Sequence, residues 1–143
     1  MAELPPVITP ADLDEDRAGR PQLCPLPAGW PSPAENYVED TLDLHRLAVP
    51  NPPATFFLRV TGDSMIGAGI HNGDLLVVDR SKNPTPGKIV VAAINGEFTI
   101  KRLVKRKEKT FLCPENPAYP EIDLAEQEEA GIWGVATYVL HQL

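Results

Sequence analysis

KIVVAAI (Lys88–Ile94), NG (Asn95-Gly96) and EFTIKRLV (Glu97–Val104) form the stretch that decides the fold. Two β-rich runs flank Asn-Gly, the strongest two-residue signal for a tight hairpin turn. Outward from this hairpin the same character continues. Phe56–Val60, Leu75–Asp79, Thr110–Cys113 and Ile132–Leu143 read as further strands, and Asn83-Pro84-Thr85-Pro86-Gly87 as a turn. Residues 54–143 show no strong helical periodicity. The expected fold is therefore mostly β, a small curled or barrel-like sheet.

Ahead of residue 54 the chain changes. Eleven of the 16 prolines lie in residues 1–53, which predicts an extended, hydrogen-bond-poor segment before a compact body. Residues 1–28 read as an arm carrying an acidic cluster, Asp12, Asp14, Glu15 and Asp16. Pro21, Pro25 and Pro27 exclude regular helix or central strand there. Residues 29–53 read as a linker with short helical turns. Ser32-Pro33-Ala34-Glu35 is a capping box, Tyr37, Val38, Leu42 and Leu44 follow, and Pro52-Pro53 end it. Residues 54–143 form the expected β domain.

The formal charge of −7 works against tight, non-specific duplex binding. The apolar runs are short of the ~20 residues that span a bilayer, and Met1–Pro10 has no basic start of the secretory kind. Cys24 and Cys113 form no metal-binding spacing and no CxxC. The expectation is a cytoplasmic chain with free thiols and neither metal nor cofactor.

Chemistry points to Gly62-Asp63-Ser64-Met65, placed straight after a strand in a loop with Gly62, Gly67, Gly69 and Gly73. Flanking glycines let a substrate chain come close to the Ser64 hydroxyl. A serine in such a loop is otherwise an ordinary turn residue. A nucleophilic serine needs a base. The histidines give no motif: His71 reads as a solvated turn residue, His45 sits in the expected helical turn, and His141 lies near the end of the sequence. Lys101 is the alternative. By alternation it shares a strand face with Thr99 and Leu103. At an ordinary pKa of ~10.4 only about one lysine in 2,500 is neutral at pH 7. Burial lowers that value by up to roughly 3–5 units, and without burial Lys101 is an exposed strand lysine.

Gly62–Met65, Gly69-Ile70-His71-Asn72-Gly73-Asp74-Leu75 and Gly96–Leu103 together resemble the LexA/UmuD self-cleaving family, from about Gly29 onward, with 37 residues from serine to lysine. The resemblance implies the family's β domain, shared with signal peptidases. It implies Ser64 as nucleophile, Lys101 as unprotonated base, and the Asp63 and Ser64 N–H groups as the oxyanion hole. Such donors contribute about 3–4 kcal/mol each in transition states of this type. The family cuts Ala-Gly or Cys-Gly bonds, which implies Ala28-Gly29 here. Cys24 is followed by Pro25 instead.

The 28 residues ahead of that bond are too few and too acidic for a DNA-reading helix-turn-helix, so the expected branch is the UmuD one. That branch implies a homodimer, cleavage stimulated by the RecA filament on single-stranded DNA, and a trimmed product serving a UmuC-type Y-family translesion polymerase. No membrane and little sequence-specific DNA contact is expected. The basic run Lys101–Lys109 reads as a solvated hairpin end, and Glu121–Glu129 as an exposed acidic loop. Two other readings stay open: a binding module with a vestigial dyad, and a peptidase acting on other proteins.

Overall fold

The computed structural model describes residues 19–23, 25–29 and 40–143. The acidic cluster at 12–16, Cys24 and the Ser32–Glu35 capping box lie outside the described residues. The chain forms two units, divided between Pro50 and Asn51.

In the first unit, Gln22–Leu23 (β1) pairs antiparallel with Asp40–Thr41 (β2). Helix α1, Leu44–Ala48, follows. Asp43 caps it: its carboxylate accepts the Arg46 backbone N–H at 3.2 Å and pairs with Arg20 at 3.3 Å. The helix ends two residues before Pro50, because the residue preceding a proline is pushed out of the helical region.

The second unit holds seven strands: β3 Thr55–Arg59, β4 Leu75–Asp79, β5 Ile89–Ile94, β6 Glu97–Arg106, β7 Lys109–Cys113, β8 Ile122–Asp123 and β9 Ala130–Leu140. They form one sheet in the order β3-β4-β9-β5-β6-β7-β8, every neighbouring pair antiparallel. The fold is mostly β, as expected. The sheet does not close, and β3 and β8 are its edges. Asn95 (φ 49°) and Gly96 (φ 82°) both adopt left-handed backbone, the geometry that makes Asn-Gly a hairpin turn. Lys107 and Glu108 do the same at the β6–β7 turn, so the basic run ends on an exposed hairpin tip. The acidic stretch is less uniform than expected. It contains β8 and a single 3-10 turn, Leu124–Glu126, and Ile122 and Leu124 pack against the core.

Strand β9 is wedged between β4 and β5 and carries two bulges. Val77 and Val78 face Tyr138 and Ala136, leaving Thr137 extra; Val91 and Ala92 face Gly134 and Ile132, leaving Trp133 extra. Bulges bend a strand and raise its twist, so the sheet curls at its centre. The core divides accordingly. Val60, Met65, Ile70, Leu76, Val78 and Val91 form one cluster; Val90, Ala92, Leu103, Leu112 and Val135 form the other. Neighbours on β5 thus point into different clusters, and this strand is buried on both faces.

Gly134 marks the tightest crossing, because a Cβ there would lie 2.5 Å from Val78 Cγ1. Gly134→Ala is expected to destabilise the protein by roughly 1–3 kcal/mol in urea unfolding. Val78→Ala in the same chain should offset part of that loss, which a double-mutant cycle reads directly.

Candidate active site

The loop from Val60 to Asp74 is closed at its base. The Val60 N–H donates to the Asp74 carbonyl at 2.9 Å, the Gly73 N–H to the Val60 carbonyl at 2.8 Å, and the Gly62 N–H to Asn72 Oδ1 at 2.9 Å. Met65 and Ile70 plug the loop into the first core cluster. With its neighbour Met65 only 2% exposed, Ser64 has little freedom to move.

A second segment braces the same loop from outside. The Glu115 N–H donates to the Ser64 carbonyl at 2.8 Å, and the Gly67 N–H to the Glu115 carbonyl at 2.8 Å. Asn116 Nδ2 donates to the Asp63 carbonyl at 3.0 Å, and the Tyr119 hydroxyl to Asp63 Oδ1 at 2.5 Å. Arg102 holds the Glu115 carboxylate through Nε at 2.5 Å. These bonds fix Asp63 and Ser64 through their carbonyls and leave their N–H groups without a protein acceptor among the described residues. Nothing in the sequence announced residues 115–119 as part of the site, since Glu-Asn-Pro is an ordinary turn composition.

Lys101 enters from β6. It is 6% exposed, and its Nζ lies 3.1 Å from Ser64 Oγ, 2.9 Å from Thr99 Oγ1 and 3.0 Å from the Ile100 carbonyl. Thr99 and Lys101 thus share a face, as alternation predicts. Among the described residues no carboxylate pairs with Lys101. Burial pushes its ammonium below the ordinary lysine value. The Lys101 Nζ donates to Thr99 Oγ1, the Ile100 carbonyl and Ser64 Oγ, three neutral oxygens that bring no counter-charge.

A cavity of about 310 Å³ opens beside Ser64, with Thr61 and Gly62 on one wall and Phe98, Thr99 and Ile100 on the other. His71 and His141 turn elsewhere. His71 stands beside a turn with its side chain 41% exposed, and its ring also meets His141, tilted, with centroids 4.6 Å apart, and lies against Asp74. Ala28 and Gly29 belong to the first unit, where both are exposed in a bend.

Residues 23–137 match the Peptidase S24-like family. This chain belongs to that family. It is 49% identical to Protein SamA of Salmonella typhimurium over 81% of this chain and 80% of that one. It is 50% identical to Protein ImpA of Escherichia coli over 80% and 78%. LexA repressor 2 of Pseudomonas syringae is 41% identical over 81% of this chain and 60% of its own length. The family is of the serine peptidase or autoprotease kind, and the SamA and ImpA matches place the chain on its UmuD-like side.

The buried amine has a measurable thermodynamic consequence. Because burial lowers its folded-state pKa, the unfolded chain binds the extra proton. The penalty is fully present below the lowered value and fades as pH rises through it toward the ordinary lysine range. Lys101→Met should therefore stabilise the protein at pH 7, by on the order of 1 kcal/mol in urea unfolding. The gain should shrink as pH is raised. A variant less stable than the parent at pH 7 would mean that Lys101 is a well-satisfied cation.

Proposed function

We propose that this protein is a self-cleaving regulatory subunit of the SOS response, cutting its own Ala28–Gly29 bond with Ser64 as nucleophile and Lys101 as base. The observation that carries the reading is the buried Lys101 amine, unpaired by any described carboxylate, 3.1 Å from the Ser64 hydroxyl.

The neutral Lys101 Nζ takes the Ser64 proton as Oγ attacks the Ala28 carbonyl carbon. The oxygen that becomes negative is held by the Asp63 and Ser64 N–H groups. Collapse breaks the Ala28–Gly29 C–N bond, and the Lys101 ammonium passes its proton to the departing Gly29 amine. Water, deprotonated in turn by Lys101, hydrolyses the Ala28 ester and frees residues 1–28. Small residues at both sides of the bond suit a narrow cleft, and Gly29 accepts backbone geometries closed to other residues. The 35 residues from Gly29 to Ser64 reach at most ~115 Å when extended. Chain length therefore permits cleavage within one chain or across a dimer.

In this reading the chain is a cytoplasmic homodimer whose cleavage is stimulated by the RecA filament on single-stranded DNA. The trimmed dimer then serves as accessory subunit of a UmuC-type Y-family polymerase in error-prone translesion synthesis. The net charge of −7 favours a protein partner over direct duplex binding.

Incubation with RecA, single-stranded DNA and a nucleotide should yield fragments beginning at Met1 and Gly29. Spontaneous cleavage should quicken about tenfold per pH unit below the Lys101 pKa, since only the neutral amine reacts. Ser64→Ala and Lys101→Ala should each slow cleavage by about 10²–10⁴-fold or more while the far-ultraviolet circular dichroism is unchanged. Intact wild-type chain after long incubation at pH 10 would sink the proposal. Ser64→Ala chains mixed with active ones would show whether the cut crosses between chains.

A further inference from the structure

The second unit holds a cluster that the cleavage chemistry does not use. Asp74 closes the foot of the Ser64 loop and is 3% exposed. Two imidazoles face its carboxylate. His141 Nδ1 lies 2.6 Å from Asp74 Oδ1, and His71 Nδ1 lies 3.7 Å from Asp74 Oδ2. The two rings lie against each other, tilted by 37°, with centroids 4.6 Å apart. One ligand atom from each of the three residues lies within 4.8 Å of the other two.

Hydrogen bonding inside the cluster leaves one atom unexplained. His71 Nδ1 is buried and has no hydrogen-bond partner, since 3.7 Å to Asp74 is beyond bonding distance. The His71 side chain is 41% exposed while its Nδ1 is buried, so this nitrogen faces inward. A buried nitrogen without a partner normally costs stability. An electron-pair acceptor placed between the two imidazoles and the carboxylate would satisfy it. Asp74 Oδ2 is meanwhile oriented by the His71 backbone N–H at 2.8 Å, the kind of outer support that metal-ligating carboxylates have.

We propose that His71, Asp74 and His141 form a binding site for a zinc-type divalent cation. Two imidazole nitrogens and one carboxylate oxygen suit borderline ions such as Zn²⁺ and disfavour Mg²⁺ and Ca²⁺, which take oxygen ligands. Three protein ligands leave a fourth tetrahedral position for water. Occupancy would replace the His141–Asp74 hydrogen bond by two metal bonds and give His71 Nδ1 the partner it lacks. The ion would tie the chain just past β9 to the foot of the Ser64 loop. Asp74 and its neighbours Asn72 and Gly73 hold that foot closed through Val60 and Gly62. The site is thus a clip on the loop, and it stands whether or not the loop performs cleavage.

The test uses the full chain, stripped with chelator, and zinc chloride alone as probe. Isothermal titration should show one tight site per chain and a raised melting temperature. Co²⁺ in its place should give the intense visible absorption of a tetrahedral site. His141→Gln and His71→Gln should each weaken Zn²⁺ binding by at least about tenfold and remove the melting shift. His141 is partly exposed, so His141→Gln keeps the fold, and circular dichroism checks this. His45→Gln serves as a control and should bind like the parent. Absence of Zn²⁺ binding, or binding that survives both substitutions, would overturn the proposal.

Discussion

Strand β5 is apolar on both faces, and most of the second unit follows from covering it. Val90 and Ala92 point into one cluster and Val91 into the other, so neither side of the strand can face water. Partners in an antiparallel pair share a face. Val90, fully buried, lies opposite Lys101 on β6. The pleat therefore turns the Lys101 side chain inward regardless of its charge. A one-residue slip of this hairpin would put Lys101 on the other face. The Asn95-Gly96 turn, with both residues in left-handed backbone, forbids the slip. Two residues of turn chemistry thus set the register that buries the amine.

The serine is placed by a different device. Its loop has no regular secondary structure to hold it beyond one 3-10 turn, Ile66–Ala68. Instead two apolar anchors, Met65 and Ile70, sink into the core, and residues 115–119 brace the loop from the other side. Arg102 joins the two halves. It follows Lys101 on β6, points to the opposite face of the strand, and grips Glu115, whose backbone in turn holds Ser64 and Gly67. Lysine and serine are therefore located against each other through one rigid hairpin, and a shift of β6 would move both.

The sequence made the hairpin plain because Asn-Gly between β-rich runs has few other solutions. It also put Lys101 and Thr99 on one face, since alternation has a period of two. Other features were out of reach for physical reasons. A two-residue strand such as β1, β2 or β8 has no periodicity to detect. The bulges at Trp133 and Thr137 depend on how β9 meets two different neighbours, so its own residues do not encode them. The approach of Ser64 to Lys101 across 37 residues came from resemblance, because spacing alone does not fix distance through a loop. The contact of His71 with His141 was out of reach for the same reason: the two lie 70 positions apart and meet only through the course of β9. Residues 115–119 reach the loop through two main-chain bonds of Glu115 and through the Asn116 and Tyr119 side chains, contacts distant in sequence that composition does not reveal.

Three charged side chains are buried in the second unit, and the protein treats them unequally. Asp79 accepts from the Ser81 hydroxyl and N–H, and these bonds hold its carboxyl below the usual range against the cost of burial. For Asp74 burial is the foremost influence and raises the carboxyl, yet the His71 N–H and the His141 ring together outweigh it and hold the carboxyl low. Both acids thus receive donors that favour the charged form. Lys101 is offered hydroxyls and a carbonyl but no described carboxylate, so burial acts on it unopposed and favours the neutral form. The second unit gives its buried acids donors, and among the described residues it gives this lysine no carboxylate. A purely structural lysine would gain stability from an acidic neighbour, whereas an amine that takes a proton from Ser64 would be disabled by one. In the proposed reading, the lack of a carboxylate beside Lys101 among the described residues is the feature that distinguishes a base from a buried strand lysine.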